Sequence, residues 1–375
     1  MSDEDLPEPD RIAGAPHPRE TAHLIGQRRA EDEFLRVYNA GRLHHAWLIS
    51  GPRGTGKATL AWGLARFLLA APAADGGPSL FGDAPPKPDS LHIDPEHPVA
   101  RRIAARSEPG LFHITRTPSP TTGKMRDQIA VDDVRNLAHF LQLSAADGGR
   151  RAVIVDAVDE MNTAASNALL KMLEEPPART TLLLVAHQPS RLLPTIRSRC
   201  RELRLGALSP EDLTTALAQA EIDIGGDTAA LAELAGGSVG EAIRLTQSGG
   251  LELYGDLVGL FSTLPKMDRS RALRLADSAA QRGSSERLDL LLWLVDLVMA
   301  RLARSGALGR PPAIEGAKGE AAMLMRLAPN AASARHWAQA AEEIGARARH
   351  GRAVNLDPAA LILDMFIKIQ QTAES

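Results

Sequence analysis

The 375-residue chain has a single cysteine, Cys200, and that scarcity excludes two structural classes. A lone thiol closes no internal disulfide and builds no multi-thiolate zinc site. A reducing, cytoplasmic setting is the expectation that follows. Aromatic residues are only 3%, so Leu and Ala carry most of the 44% hydrophobic share; this suits helical packing more than a β-sandwich and is ample for real cores. An excess of one charge is also lacking. The formal net charge is -3, which gives no global pull toward nucleic acid or an anionic membrane. No long apolar run is present either. The longest, near residues 288–302, is broken by Asp289, Asp296 and Arg301 and is too short and too charged to span a bilayer. The opening MSDEDLPEPD is acidic and has no apolar centre, so no signal peptide is expected.

What is present is an alternation. Residues 1–20, rich in Pro, Asp and Glu, read as a flexible tail. A helical stretch with Phe34, Leu35, Val37 and Tyr38 on one face precedes a short buried strand at Ala46–Ser50. A helix at 59–70 follows, and 71–110 reads as a surface insertion, Pro/Gly/Asp-rich at first and then basic. Further strands are expected at 111–115, 152–158, 181–186 and 201–205. Between them lie helices with Val131, Val134, Leu137 and Leu141 at helical spacing and at about 164–173, the latter ending before Pro176. Apolar strands alternating with helices predict an α/β unit, a parallel sheet wrapped on both faces, over 21–207.

At Ser209 the character changes. Ser209 as N-cap, Pro210 at the first helical position and Asp212 two further on start a helix. Three short helices, punctuated by Gly225-Gly226 and Gly236-Gly237, fit a small helical domain at 208–249. Residues 250–375 read as all-α, with helices at 265–282, 284–305, 319–328, 330–348 and 356–372 and with Trp293 in the core.

The stretch GPRGTGKAT, Gly51–Thr59, follows a strand and opens a helix, the context a Walker A phosphate loop requires. Gly51, Gly54, Thr55, Gly56, Lys57, Ala58 and Thr59 are its nucleotide-contact candidates. Backbone N–H groups at Gly54 and Gly56 would face phosphate oxygens, and Lys57 would reach the β- and γ-phosphates. The consensus places Ser or Thr after the lysine, as a magnesium ligand; here that residue is Ala58. Thr59 lies one residue on, turned about 100° away. Asp156 ends the third strand as a Walker B aspartate should. In hydrolysing P-loop ATPases a glutamate follows to polarise water, whereas here Ala157 follows. Asp159 and Glu160 lie past the strand end and are expected to start the next turn, pointing elsewhere.

LIGQ at 24–27, the phosphate loop, NALLKMLEEPP at Asn167–Pro177 and LLPTIRSRC at Leu192–Cys200 together resemble the bacterial clamp-loader family of AAA+ ATPases. The resemblance covers about residues 21–248, and 250–375 matches the family's collar by length and helical type. It implies an AAA+ domain, a lid at 208–249 and an oligomerising collar. It further implies ATP or ADP as cofactor. The implied partners are tau/gamma-type motor subunits, a clamp-opening delta subunit and, through the complex, a sliding clamp and primed DNA; no membrane is involved. In the family's motors an arginine in a Gly-Ser-x-Arg-Asp stretch senses nucleotide; the corresponding residue here is Gly240. His187 lies near the position of a polar sensor, without the usual threonine-rich surroundings. Departures at Ala58, Ala157 and Gly240 all weaken hydrolysis, so the resemblance implies a stator rather than a motor. The family's zinc module is not expected: the insertion has no cysteine, and Asp94 and His97 do not make a site.

The retained element is Ser198-Arg199-Cys200. In the family this arginine reaches the γ-phosphate in the neighbouring subunit, a catalytic role in trans. The other reading of Arg199 is an ordinary surface arginine, like Arg191, Arg197, Arg201 and Arg204 nearby. Cys200 reads as packing, since no base adjoins it. Arg101, Arg102 and Arg106 read as a solvated basic face, and His44, His45, His113 and His187 show no metal spacing. Two other functions stay open at this stage. One is an active motor that uses Thr59 or Asp159-Glu160 as substitutes. The other is a P-loop kinase, against which the long helical tail and the lack of a second phosphate-acceptor motif argue.

Overall fold

The computed structural model describes residues 8–71, 87–119, 121–142, 149–280 and 285–375. The chain divides into two compact units. The first comprises the residues up to Ile222 with Gly237–Gly240, the second Asp223–Gly236 with Glu241–Ser375. The division therefore runs through the stretch 208–249.

The first unit holds α1 (Arg28–Asn39), β1 (Ala46–Ser50), α2 (Lys57–Ala70), α3 (Pro98–Ala104), β2 (Leu111–Ile114), α4 (Val131–Gln142), β3 (Arg151–Asp156), α5 (Thr163–Glu174), β4 (Thr180–Ala186), α6 (Pro194–Arg197), β5 (Arg201–Arg204) and α7 (Pro210–Gln219). The strands form one sheet in the order β2-β3-β4-β1-β5, with every neighbouring pair parallel. Successive strand residues point to opposite faces. Trp47 and Ile49 of β1, with Ile154, Leu183 and Val185, pack under α1, α2 and α3. Ala46 and Leu48, with Val153, Val155, Leu182 and Leu184, pack under α4, α5 and α6. The α/β parallel sheet wrapped on both faces is as the apolar runs predicted. Strand ends differ by one to two residues, and α2 starts at Lys57 rather than 59.

Residues 8–20 pack where composition led us to expect a flexible tail. Ala15, His17 and Arg19 are buried. Glu8 pairs with Arg19 at 2.7 Å, and the Arg66 guanidinium of α2 donates to Thr21 O at 2.6 Å. Polar groups do the anchoring here, which is why hydropathy does not reveal it. The basic stretch of α3 is likewise paired: Arg102 with Glu108 at 2.8 Å, Arg101 with Glu96 at 3.7 Å, and Arg106 with Glu8. Of the insertion 71–110, residues 72–86 lie outside the described residues.

The second unit holds α8 (Thr228–Ala235), most of α9 (Val239–Gln247), α10 (Gly250–Phe261), α11 (Arg269–Ala279), α12 (Ser285–Leu308), α13 (Glu320–Leu327), α14 (Ala331–Ala353) and α15 (Pro358–Glu374). α10 had no separate counterpart in the sequence reading, because its three glycines dilute the helical pattern. Leu253, Tyr254, Leu257, Val258 and Phe261 nevertheless form its buried stripe. Arg352 at the end of α14 pairs with Asp289 at the start of α12, so these two helices run antiparallel. Leu291 and Leu294 are buried, whereas Trp293 is half-buried under the Arg244 guanidinium. Among the described residues no helix is long and apolar enough to cross a membrane.

One buried ion pair ties this unit together. Glu320, 0% exposed, accepts from Arg301 Nε at 2.6 Å, the Tyr254 hydroxyl at 2.5 Å and Gly316 N at 2.6 Å. Arg301 also donates to Glu233 of α8 at 2.7 Å. Removing Glu320 takes away the only fully buried carboxylate of the cluster, leaves the Tyr254 hydroxyl and Gly316 N unpaired and leaves Arg301 only Glu233 and Ile314 O, which costs about 3–5 kcal/mol. Glu320→Ala is therefore expected to lower unfolding free energy by about that amount in urea titration; a loss below about 1 kcal/mol would contradict this account.

Candidate functional site

The phosphate loop joins β1 to α2 at the carboxyl end of the sheet. Gly54 and Gly56 have φ of 70° and 92°, conformations that disfavour a side chain. Space forbids one too: a Cβ on Gly54 would collide with Ser238 Oγ, and one on Gly56 would lie 2.7 Å from Leu24 Cδ1. Gln27 fastens the loop from behind. Its Nε2 donates to Thr55 O at 3.2 Å and Gly206 O at 2.8 Å, and its Oε1 accepts from Gly206 N at 3.2 Å. Thr55 Oγ1 donates to Pro52 O at 2.9 Å, inside the loop itself.

Lys57, 3% exposed, donates from Nζ to Gly51 O at 2.9 Å and to Pro52 O. Desolvation lowers its pKa to about 8, against the attraction of Asp156 and Asp159. Lys57, Ala58 and Thr59 occupy the first turn of α2, where helix N–H groups lack intrahelical acceptors and a dipole end favours anions. This cradle fits a nucleotide's phosphates. The magnesium position does not fit equally well: Ala58 has no side-chain oxygen and packs against the core under α2.

Asp156 ends β3, 8% exposed. Burial raises its carboxyl from 3.8 to about 7, with Asp10 adding and Lys57 opposing. The next residue, Ala157, is 2% exposed and has no group to orient water. Asp159 and Glu160 belong to a short 3-10 turn, Val158–Glu160, and both are engaged. Asp159 accepts from His187 N at 3.0 Å and Gln188 N at 2.9 Å, bracing the exit of β4. Glu160 pairs with Arg53 at 3.1 Å and Arg116 at 2.9 Å. Desolvation, with repulsion from Lys57 and Arg53, lowers the His187 imidazole to about 4, so it is neutral at pH 7.

Two further segments lie against the loop: the Gly237–Gly240 stretch, which the resemblance had brought in through Gly240, and the segment from Glu8, which the sequence reading had left as a tail. Val239 N donates to Gly54 O at 2.8 Å, so the stretch Gly237–Gly240 is bonded to the loop through backbone. A Cβ on Gly240 would lie 3.2 Å from Gly54 Cα and 3.0 Å from Ile12 Cδ1. The second neighbour is the segment from Glu8. Asp10 lies close enough to Asp156 to raise its pKa, and its own carboxyl lies 3.0 Å from His17 Nε2 and 3.5 Å from His113 Nε2. Burial opposes Asp10 ionisation, but the two histidines hold its pKa below the ordinary value. Desolvation pushes His113 down to about 4. No spacing signal links residues 10, 17 and 113, so only the fold could bring them together. Among the described residues no group of three or more His, Cys, Asp or Glu is placed to hold a metal.

Arg199 lies elsewhere. It sits in the turn between α6 and β5, and Arg201 of β5 pairs with Trp47 at the start of β1. The phosphate loop leaves the far end of that strand, four residues on from Trp47, or about 13 Å at the usual strand rise. The guanidinium donates to Glu174 Oε1 at 2.9 Å and Thr195 O at 3.1 Å, and its side chain is 36% exposed. Burial pushes the Cys200 thiol beside it up to about 12.

A phosphate loop on a five-stranded parallel sheet, with an acid at the end of the third strand, defines a P-loop domain of the AAA+ type. Residues 26–209 match the family described as DNA polymerase III, delta subunit. A DNA polymerase III subunit delta' from Pseudomonas aeruginosa is 40% identical over 158 residues, 42% of this chain and 41% of that one. The Escherichia coli subunit delta' is 33% identical over 217 residues, 58% of each chain. A gamma/tau subunit from Mycobacterium bovis is 31% identical over 210 residues, 54% of this chain and 31% of that one. The matched span is thus less than two thirds of each relative's length. Residues 26–209 thus resemble the clamp-loader family, and most resemble its delta prime subunits.

Two measurements test this geometry. Between about pH 4 and about 7, folded Asp156 keeps a proton that the unfolded chain has released, so stability falls as pH rises through that window. Asp156→Asn is expected to flatten that part of the melting temperature–pH profile; an unchanged slope would show that burial does not hold the proton. Gly240→Arg is expected to cost about 1–3 kcal/mol by overpacking against Gly54 and Ile12, read by urea denaturation. Stability equal to the parent would contradict the tight approach.

Proposed function

We propose that the chain is a delta prime-type stator of a bacterial DNA polymerase III clamp loader. In this role it helps load the sliding clamp onto primed DNA. Arg199 acts in trans as an arginine finger on an ATP site of a neighbouring tau/gamma-type motor subunit. The chain's own loop holds ATP or ADP weakly or statically and does not turn it over. A clamp-opening delta subunit completes the set of partners.

The observation that carries the proposal is the position of Arg199. At the opposite end of the sheet from its own phosphate loop, it can serve no nucleotide bound there, yet its guanidinium is partly open to solvent. An exposed pair such as Arg199–Glu174 contributes only ~0–1 kcal/mol, so a phosphate can displace the carboxylate. A guanidinium matches phosphate oxygens with a planar fork that stays charged. At its own loop Ala58, Ala157 and Gly240 leave out a metal ligand, a water-orienting group and a sensor. Asp159 and Glu160, the substitutes a motor would need, are committed to protein partners.

The 31% identity to a gamma/tau subunit favours a second reading, an active motor. Steady-state turnover by the purified chain separates the two. The stator reading expects no turnover above background, and a motor-like rate abolished by Lys57→Ala would end it. In a complex reconstituted with motor and delta-type subunits, Arg199→Ala is expected to slow the one site it serves by about 10³-fold with assembly intact. Unchanged turnover in the intact complex would remove the finger.

A further inference from the structure

In the second unit α10, α11 and α12 line a half-open cavity of about 160 Å³ whose polar wall is Asp256, Arg271, Arg274, Ser278 and Arg287. Arg271, Arg274 and Ser278 recur at helical spacing and share one face of α11. Arg287 comes from α12 and donates to Ser248 O at 3.1 Å. The Arg271 guanidinium lies against Gly259 of α10, where any Cβ would collide with it. Its Nε is buried and has no acceptor. Among the described residues neither Arg271 nor Arg274 has an ion-pair partner. Asp256, the one carboxylate in the wall, is not within ion-pair distance of any of the three arginines.

Three like charges gathered on one cavity repel, and a buried donor without an acceptor calls for a partner. Guanidinium groups approaching from two helices suit an oxyanion with acceptors in several directions, as phosphate has. The volume is that of roughly five water molecules at ~30 Å³ each, room for one or two phosphate groups. It is below the ~300 Å³ at which clefts begin to enclose drug-sized molecules, so a base and sugar would remain outside.

We propose that this cavity is a second phosphate-binding site, separate from the Walker loop, for a pyrophosphate-sized anion. The anion is either free or the phosphate chain of a nucleotide. The site does not depend on Arg199 or on the stator reading. Calorimetric titration of the full chain with pyrophosphate at low salt tests it, in the parent, Lys57→Ala and Arg274→Gln proteins. Arg274 is exposed and has no ion-pair partner among the described residues, so Arg274→Gln is expected to keep the fold, with an unchanged melting curve as the check. One equivalent of pyrophosphate should still bind Lys57→Ala, and Arg274→Gln in that background should weaken it about tenfold or more. Arg271→Gln should do the same, so that two variants speak to one site. Binding lost in Lys57→Ala, or unaltered by either arginine change, would overturn the proposal. So would tighter binding of duplex DNA than of pyrophosphate through the same arginines, since the ligand would then be a backbone rather than a compact anion. A parallel titration with ATP in Lys57→Ala separates the two sources: equal affinity identifies the nucleotide's phosphate chain, and binding of pyrophosphate alone identifies the free anion.

Discussion

Strand direction governs the chemistry of the first unit. In a parallel sheet every strand leaves by the same end, so loops that follow strands gather at one edge and turns that precede them at the other. The phosphate loop after β1 and Asp156 at the end of β3 share the first edge. Arg199, just before β5, is confined to the second. No rotamer change bridges the two. Within one chain, the phosphate loop and Arg199 therefore face opposite edges of the sheet.

Around the loop, small groups replace reactive ones in a consistent manner. Ala58 packs into the core where a hydroxyl would face a metal. Ala157 is sealed in the sheet edge. Gly240 is close to Gly54 because it has no side chain, and the adjoining Val239 amide is bonded to Gly54 O. At these three positions the chain lacks side chains that could ligate a metal, orient water or reach a phosphate.

The sheet was legible in the sequence because burial on both faces leaves an unbroken apolar signature, and β1 was read to the residue at Ala46–Ser50. The candidate site was legible where it is local: the glycines, Lys57, Asp156 and the stretch with Arg199 each carry their own spacing. What escaped is held by long-range polar contacts. Asp10, His17 and His113 meet through the fold, and nothing in an acidic, proline-rich beginning announces that Glu8 and Arg19 will pair. Arg271 and Arg274 are visibly neighbours on a helix, but Arg287 joins them only through the packing of α12. The embrace of Gly54 by the 237–240 stretch rests on backbone atoms, which have no sequence signature.

The single thiol has a practical corollary. Cys200 is only partly exposed and its pKa near 12 leaves almost no thiolate at neutral pH, so alkylating reagents find little nucleophile on the native chain. A cysteine introduced on an exposed surface would therefore be modified first, without the need to remove the native one. The protein is in this sense already prepared for fluorophore or spin-label pairs that report distances within it.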